Sequence, residues 1–175
     1  MNKRKSILVT SGSKRLGKHI SKFFVMNDWD LILHYNNSKV EAEETANELS
    51  IYSKNIKLYH ADFTKNKDVQ NLLENLLLKE KEWVGLVNNA GLFEYDTGKD
   101  FIIEKLNRHM SINFSTPAIL IQALYKNIIK NQIVKNKNNM VINIIDAKIE
   151  GLNPDYYSYT LSKLAMSGLT KMSAL

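Results

Sequence analysis

Cysteine is absent from all 175 residues, so the chain can form no disulfide and offers no thiolate nucleophile. No apolar run approaches the roughly 18 residues that a membrane span needs. The lysine-rich start leads directly into a short strand-like run rather than into a signal-type apolar stretch. A cytoplasmic address with no membrane partner is the expectation. Arginine is scarce: Arg4, Arg15 and Arg108 are the only three, and the net charge of +6 comes mostly from lysines spread along the chain among many asparagines. Such a spread forms no basic stripe interleaved with stacking aromatics, which argues against a nucleic-acid partner. The four histidines, His19, His34, His60 and His109, have no metal-ligand spacing, so no metal is expected and they read as structural or surface residues. No internal repeat occurs. A hydrophobic content of 44% is ordinary for a soluble core, and the length suits one domain over 1–175.

What is present is a succession of strand-like runs, turns and helical periodicities. Ser6 to Thr10 is apolar, Ser11-Gly12-Ser13-Lys14-Arg15-Leu16-Gly17 follows, and helical spacing then runs through Ile20, Phe23 and Phe24. That order is strand, glycine turn, helix. Gly12 suits a tight turn and Gly17 a close backbone approach, with the helix N-terminus facing a phosphate. Leu31 to Tyr35 reads as a second strand. Ser38-Lys39-Val40-Glu41 has the form of a capping box opening a helix to about Ser50. Ile56 to His60 reads as a third strand, Val69 to Leu78 as a helix, Val84 to Val87 as a strand ending in Asn88-Asn89-Ala90-Gly91, and Met140 to Ile145 as a strand ending at Asp146. A long helix is expected from Phe101 to Lys130, kinked where Pro117 cannot donate to the carbonyl of Asn113. A polar surface loop is expected over 130–139, and a last helix from Tyr156. The alternation predicts an α/β fold, a doubly wound Rossmann-type parallel sheet with helices on both faces. In such a sheet the ligand crevice lies outside the carboxyl ends of the strands, where these turns converge.

Tyr159 and Lys163 stand at helical i, i+4 spacing, which puts a phenol and an ammonium on one helix face. A nearby cation favours phenolate, so the pair is read as a tyrosine tuned toward neutrality that can pass a proton.

With these residues in order, the chain resembles the short-chain dehydrogenase/reductase family over nearly its whole length. Thr10-x-Gly12-x-x-x-x-Gly17 is similar to the family's phosphate loop in a variant spacing, with Ser11 where glycine is usual. Ala61-Asp62, followed by Phe63, is similar to its adenine contact, and Asn88-Asn89-Ala90-Gly91 to its strand-four motif. Asn113 and Tyr159-x-x-x-Lys163 complete the set. Counting back from Tyr159, Asp146 takes the position where most members carry serine. An aspartate there resembles the pteridine reductase branch, including bacterial dihydromonapterin reductases, as do Lys14-Arg15-Leu16-Gly17 and His34-Tyr35-Asn36-Asn37-Ser38. Gly91 instead resembles the carbonyl-reducing members.

The resemblance implies catalytic roles for Asn113, Asp146, Tyr159 and Lys163, with Asn113 holding a relay water and Lys163 gripping the cofactor ribose. It implies that Arg15 and Phe93 frame a pterin ring together with Asp146 and Tyr159, Asp146 acting as an acid if its pKa is raised. Cofactor contacts would come from Gly12, Ser13, Lys14, Arg15, Leu16, Gly17, Tyr35, Asn36, Asn37, Ser38, Ala61, Asp62, Phe63, Asn89, Ala90, Gly91, Tyr159 and Lys163. The second strand ends in no acid, while Lys14, Arg15, Asn36, Asn37 and Ser38 suit a 2′-phosphate, so the expected cofactor is NADPH. The expected function is hydride transfer to a dihydropterin, a small-molecule substrate. A carbonyl reductase acting on 3-oxoacyl thioesters and a non-catalytic NADP-binding or assembly subunit are the alternatives. Relatives continue with two further strands and a substrate-closing loop, and they form tetramers through their long helices. The chain therefore reads as C-terminally truncated and its full-length form as a homotetramer.

Overall fold

A computed structural model describes residues 4–53, 55–133 and 139–175. Five parallel strands form one sheet in the order β3-β2-β1-β4-β5: β1 Ser6–Val9, β2 Asp30–Tyr35, β3 Ile56–His60, β4 Trp83–Asn88 and β5 Met140–Asn143. Every residue of β1 and β4 is buried, as the unbroken apolar runs of a sheet covered on both faces require. Side-chain alternation sends Ile7 and Val9 to one face and Leu8 to the other. One core joins Leu8, Ile32 and Leu86 to Leu72 and Leu76 of α3 (Asn66–Lys79) and Leu120 and Leu124 of α5 (Thr116–Lys130). The other joins Ile7, Leu33 and Val87 to Phe24 and Val25 of α1 (Arg15–Met26) and Ala42 and Leu49 of α2 (Lys39–Leu49). This is the expected doubly wound sheet, and its strand order reverses between β1 and β4. Their carboxyl ends therefore open the crevice.

Boundaries depart from expectation where chemistry other than periodicity sets them. Helix α3 begins ahead of Val69, because Asn66-Lys67-Asp68 carries no apolar signal although the Asp68 carboxylate ties its first turn to the Asp62 N–H at 3.1 Å. The capping box at Ser38 does not form. The Ser38 hydroxyl shares a 2.9 Å bond with Ser13 and Glu41 pairs with Lys14 at 2.5 Å, so two would-be capping groups brace the glycine loop instead. The long helix expected from Phe101 is three pieces: α4 (Ile103–Met110), a π-helical turn over Ser111–Ser115, and α5 with Pro117 in its first turn. The Thr116 N–H reaches back to the Ser111 carbonyl. Widening the turn accommodates a proline that lacks an N–H and whose ring crowds the carbonyl one turn earlier. Strand β5 ends at Asn143, leaving Ile144 to Asp146 as extended chain before a 3₁₀ turn over Ala147–Ile149 and the last helix, α6 (Tyr157–Met172). Half of the 130–139 loop, residues 134–138, lies outside the described residues. Among the described residues, no helix is long and apolar enough to cross a membrane.

Candidate active site

The phosphate-type loop is held from below by the β4 turn. Thr10 Oγ1 accepts the N–H groups of Asn89 and Ala90, both at 2.9 Å, and donates to the Val87 carbonyl. The Asn89 amide returns two bonds, to the carbonyls of Thr10 at 3.0 Å and Ser11 at 3.1 Å. Gly17 sits against this clamp. The left-handed backbone of the loop falls not on the glycines but on Ser11 (φ 50°) and Arg15 (φ 46°), so Ser11 adopts the conformation that glycine, the family's usual residue there, enters without strain.

A cleft of about 630 Å³ runs over this loop, bordered at one end by Ser13, Arg15 and Asn36 to Ser38 and at the other by Phe93, Asp146, Tyr159 and Lys163. Asn89 and Gly91 line its floor. No side chain caps α1, so its first-turn N–H groups are free to face an anion. Among the described residues Asp146 is the one acid lining the cleft, at the end opposite the basic loop, so the residues fit a phosphate-bearing dinucleotide. Lys14 lines the cleft too, but its ammonium is engaged by Glu41, which leaves Arg15 as the unpaired loop cation among the described ion pairs. Ala61, Phe63 and Ala90 line a smaller adjoining cavity of about 220 Å³. Three expected contacts, Gly12, Tyr35 and Asp62, line neither cavity. The Tyr35 ring packs into the core beside His60, and the Asp62 carboxylate is folded back on the N–H and hydroxyl of Thr64. Their side chains answer local packing and turn chemistry.

His34 wires the two cavities together. Its Nδ1 accepts the Ser11 N–H at 3.2 Å, its Nε2 bonds the Ala61 carbonyl at 2.9 Å, and its ring stacks on Phe63 at 4.2 Å. Burial pushes its pKa down to about 4, against the opposing pull of the Ala61 carbonyl and with nearby His60 adding to the depression. The unfolded chain therefore takes up this proton first as pH falls. Stability should be complete above about 6.5 and decline toward pH 4, by an amount approaching about 3 kcal/mol. Urea unfolding at pH 7 and pH 4.5, compared with His34→Asn, checks this; equal acid sensitivity in the variant would refute it.

At the reacting end, the Tyr159 hydroxyl donates to Asp146 Oδ2 at 2.6 Å, while Asp146 Oδ1 accepts the Lys148 N–H at 2.8 Å. Asp146 is thus both a turn cap and the partner of the phenol. The ammonium of Lys163, a residue only 6% exposed, donates to the Ile144 carbonyl at 2.7 Å and lies 5.8 Å from the centre of the Tyr159 ring. Two expectations are corrected here. Tyr159 is pushed up rather than down, by burial and then by the Asp146 carboxylate that accepts its proton. Asp146 is not a raised acid but is held below its ordinary value, first by the Tyr159 hydroxyl and then by the Lys148 N–H, with Lys163 and Lys148 adding. Burial lowers Lys163, partly offset by Asp146.

Asn113 lies buried in the π-helical turn. Its side-chain oxygen accepts the Leu92 N–H at 2.8 Å, and its amide donates to the Leu92 carbonyl and to Ser162 Oγ, which in turn donates to the Tyr159 carbonyl. It links the β4 turn to α6. Phe93 borders the cleft, but one of its faces is already covered by Tyr156, 4.1 Å away and nearly parallel, and its edge meets Tyr159. A substrate ring would have only the other face. A Cβ at Gly91 would meet nothing closer than Asn113 Oδ1 at 3.7 Å, so the backbone does not demand glycine there. Sequence reasoning missed Tyr156, Ser162 and the Ile144 carbonyl. It also missed Asp96, whose partner Ser158 on α6 is so distant in the chain that no local pattern marks the pair. Among the described residues no metal-binding cluster occurs.

The model of the family described as short chain dehydrogenase matches residues 5–175. A solved structure of FolM alternative dihydrofolate reductase 1 from Brucella canis, complexed with NADP, is 31% identical with a TM-score of 0.84, covering 97% of this chain and 67% of that one. Acetoin dehydrogenase YohF from Salmonella typhimurium superposes with a TM-score of 0.89 at 22% identity, over 98% of this chain and 66% of that one. The hydroxynaphthalene reductase-like protein Arp2 of Metarhizium anisopliae is 23% identical over 98% of this chain and 62% of its own length. The chain spans about three fifths to two thirds of the length of the curated relatives it matches.

Proposed function

This chain belongs to the short chain dehydrogenase family, and on that premise we propose that it works as an NADPH-dependent reductase of a small substrate of carbonyl type. The observation that carries the reading is the cluster of Tyr159, Asp146 and Lys163 at the end of a cleft whose other end is the glycine loop. Bound NADPH would supply the hydride. The loop and the α1 N-terminus would hold the pyrophosphate, and Arg15, Asn36, Asn37 and Ser38 the 2′-phosphate. Lys163 would lie against the ribose. Tyr159 keeps its proton throughout the neutral range, so it is the donor: a substrate oxygen that replaces Asp146 Oδ2 as acceptor receives the phenolic hydrogen bond, then the proton. Asn113, by tying Leu92 to Ser162 and α6, suits the relay role that the resemblance implies. The tetramer implied in the same way would use outer helix residues such as Tyr125 and Leu164, which are exposed.

A second reading, reduction of a dihydropterin, is favoured by one specific observation. Asp146 is an ionised acceptor where serine would donate, and a carboxylate suits amino and ring N–H groups better than a carbonyl oxygen. The Brucella canis protein, described as an alternative dihydrofolate reductase, is 31% identical to this chain over 67% of its own length. NADPH oxidation, followed with a small ketone, a 3-oxoacyl thioester and a dihydropterin side by side, separates the readings. Carbonyl turnover that survives or rises in Asp146→Ser supports the first. Dihydropterin turnover that collapses by about 100-fold in that variant transfers the protein to the second. NADPH binding with no turnover of any of the three would make it a binding subunit.

A further inference from the structure

Helix α6, which carries Tyr159 in its first turn, begins without a cap of its own. The residue before it, Tyr156, sits in the left-handed region (φ 56°) and supplies no side-chain bond to the first turn. The first two N–H groups are instead satisfied from the loop after β4. The Tyr157 N–H donates to the Asp96 carbonyl at 3.2 Å and the Ser158 N–H to Asp96 Oδ1 at 3.0 Å, while the Ser158 hydroxyl donates to Asp96 Oδ2. Asp96 is 3% exposed and Ser158 fully buried. An antiparallel bridge between Thr97 and Asp155 closes the join from the other side. The loop is itself fixed to α4, through the Glu94 N–H to His109 Nε2 at 3.2 Å and Lys105 to the Tyr95 carbonyl at 2.9 Å.

The two carboxylate oxygens of Asp96 thus grip the residue immediately before Tyr159, and the other end of the tyrosine must meet Asp146. A phenol is a long lever: a small rotation of the helix start displaces its hydroxyl by about 1 Å, a misplacement of the size that costs a reacting geometry about 100-fold. We infer that Asp96 is a positioning residue, capping α6 from the opposite loop so that the Tyr159 hydroxyl stays in register with Asp146 and the cleft. The activity side of this inference rests on the reductase reading; the register of Tyr159 does not.

Asp96→Asn keeps an oxygen that can accept the Ser158 N–H, whereas Asp96→Ala removes the acceptor. In Asp96→Ala we expect kcat to fall by about 30- to 100-fold with KM and NADPH affinity within about threefold of the parent, and Asp96→Asn to recover most of the loss. The second readout needs no substrate. In protein labelled with 3-fluorotyrosine, whose phenol ionises at more accessible pH, the ¹⁹F resonance missing from Tyr159→Phe reports Tyr159. It should titrate later than the exposed tyrosines in the parent and in Asp96→Asn, and move down toward them in Asp96→Ala. Asp96→Ala with unchanged kcat and unchanged Tyr159 titration would overturn the inference, as would equal losses in Asn and Ala. A parent protein that turns over no substrate sinks the reductase reading alone, and the ¹⁹F titration still decides on Asp96. Should Asp96→Ala not fold, Ser158→Ala, which keeps the amide and withdraws only the hydroxyl, is expected to show the same changes at smaller amplitude.

Discussion

Gly17→Ala should lower the thermal midpoint by about 5 to 15 °C and weaken NADPH binding at least tenfold, although it adds a single methyl group. The Cβ would stand 2.1 Å from the Ser11 carbonyl oxygen, 2.7 Å from Asn89 Nδ2 and 3.0 Å from the Ser11 carbonyl carbon. Backbone on one side and a doubly bonded amide on the other leave nothing soft to yield. Relief requires α1 to move off the loop, or Asn89 to give up its bonds to the carbonyls of Thr10 and Ser11. Either change costs about 2 to 4 kcal/mol, the range of overpacking and of a broken buried network. Both also disturb the surface on which the phosphates would rest. Gly168→Ala is the matched control: it lies within α6 with nothing inside 4 Å of the added carbon. There alanine should be neutral or stabilise by up to about 1 kcal/mol. Circular dichroism melts and NADPH fluorescence titrations of the two variants settle the comparison; a Gly17→Ala protein that melts and binds like the parent would mean that α1 does not press on the loop.

The same contrast between near and far partners explains how much of the fold was legible in the sequence. Strands β1 and β4 are unbroken apolar runs that end in turn residues, so their place in the sheet and the crevice at their carboxyl ends follow from local signals alone. Gly17 reads as a close approach because its neighbours in the chain are a strand and a helix. The partner choices do not read this way. Ser38 and Glu41 match a capping box, yet their side chains go to Ser13 and Lys14 in the glycine loop, on the far side of α1 and β2 in the chain. Asp62 has the place of an adenine contact, and its Oδ1 also accepts the N–H and hydroxyl of Thr64, a local turn partner that the motif does not announce. Spacing placed Tyr159 and Lys163 on one face of α6 correctly, and then misassigned their coupling. The Ile144 carbonyl and Asp146, both delivered by the chain after β5, bond the ammonium and the phenol, so the nearby charge does not pull the phenol toward phenolate as expected.

That reassignment sets the pH behaviour expected of the proposed reductase. Asp146 is ionised throughout the neutral range because Tyr159 and the Lys148 N–H hold its pKa down, so loss of the carboxylate shapes only an acid limb below its ordinary value of 3.8. Tyr159 holds its proton well past its ordinary value of 10, because burial and Asp146 both oppose phenolate. Lys163 moves the other way. Its ordinary value is 10.5, and burial lowers it, since the charged form is the one that loses solvation. As pH rises, the ammonium is therefore the first of the three to change state on the alkaline side. Its deprotonation leaves the Ile144 carbonyl a weaker, neutral N–H donor and removes the positive charge beside the Tyr159 ring. The alkaline limb of kcat should belong to Lys163 and lie below pH 10.5. Lys163→Arg, whose guanidinium stays charged above about pH 12, should be slower at neutral pH because a planar fork fits a site shaped for one ammonium poorly, but its alkaline limb should be displaced upward or vanish. Tyr159→Phe should lose about 100- to 10,000-fold in kcat at every pH, because the donor itself is gone. A Lys163→Arg profile with its limb unmoved would assign the alkaline ionisation to Tyr159 after all, and would require the phenol to leave Asp146 for the ammonium when substrate binds.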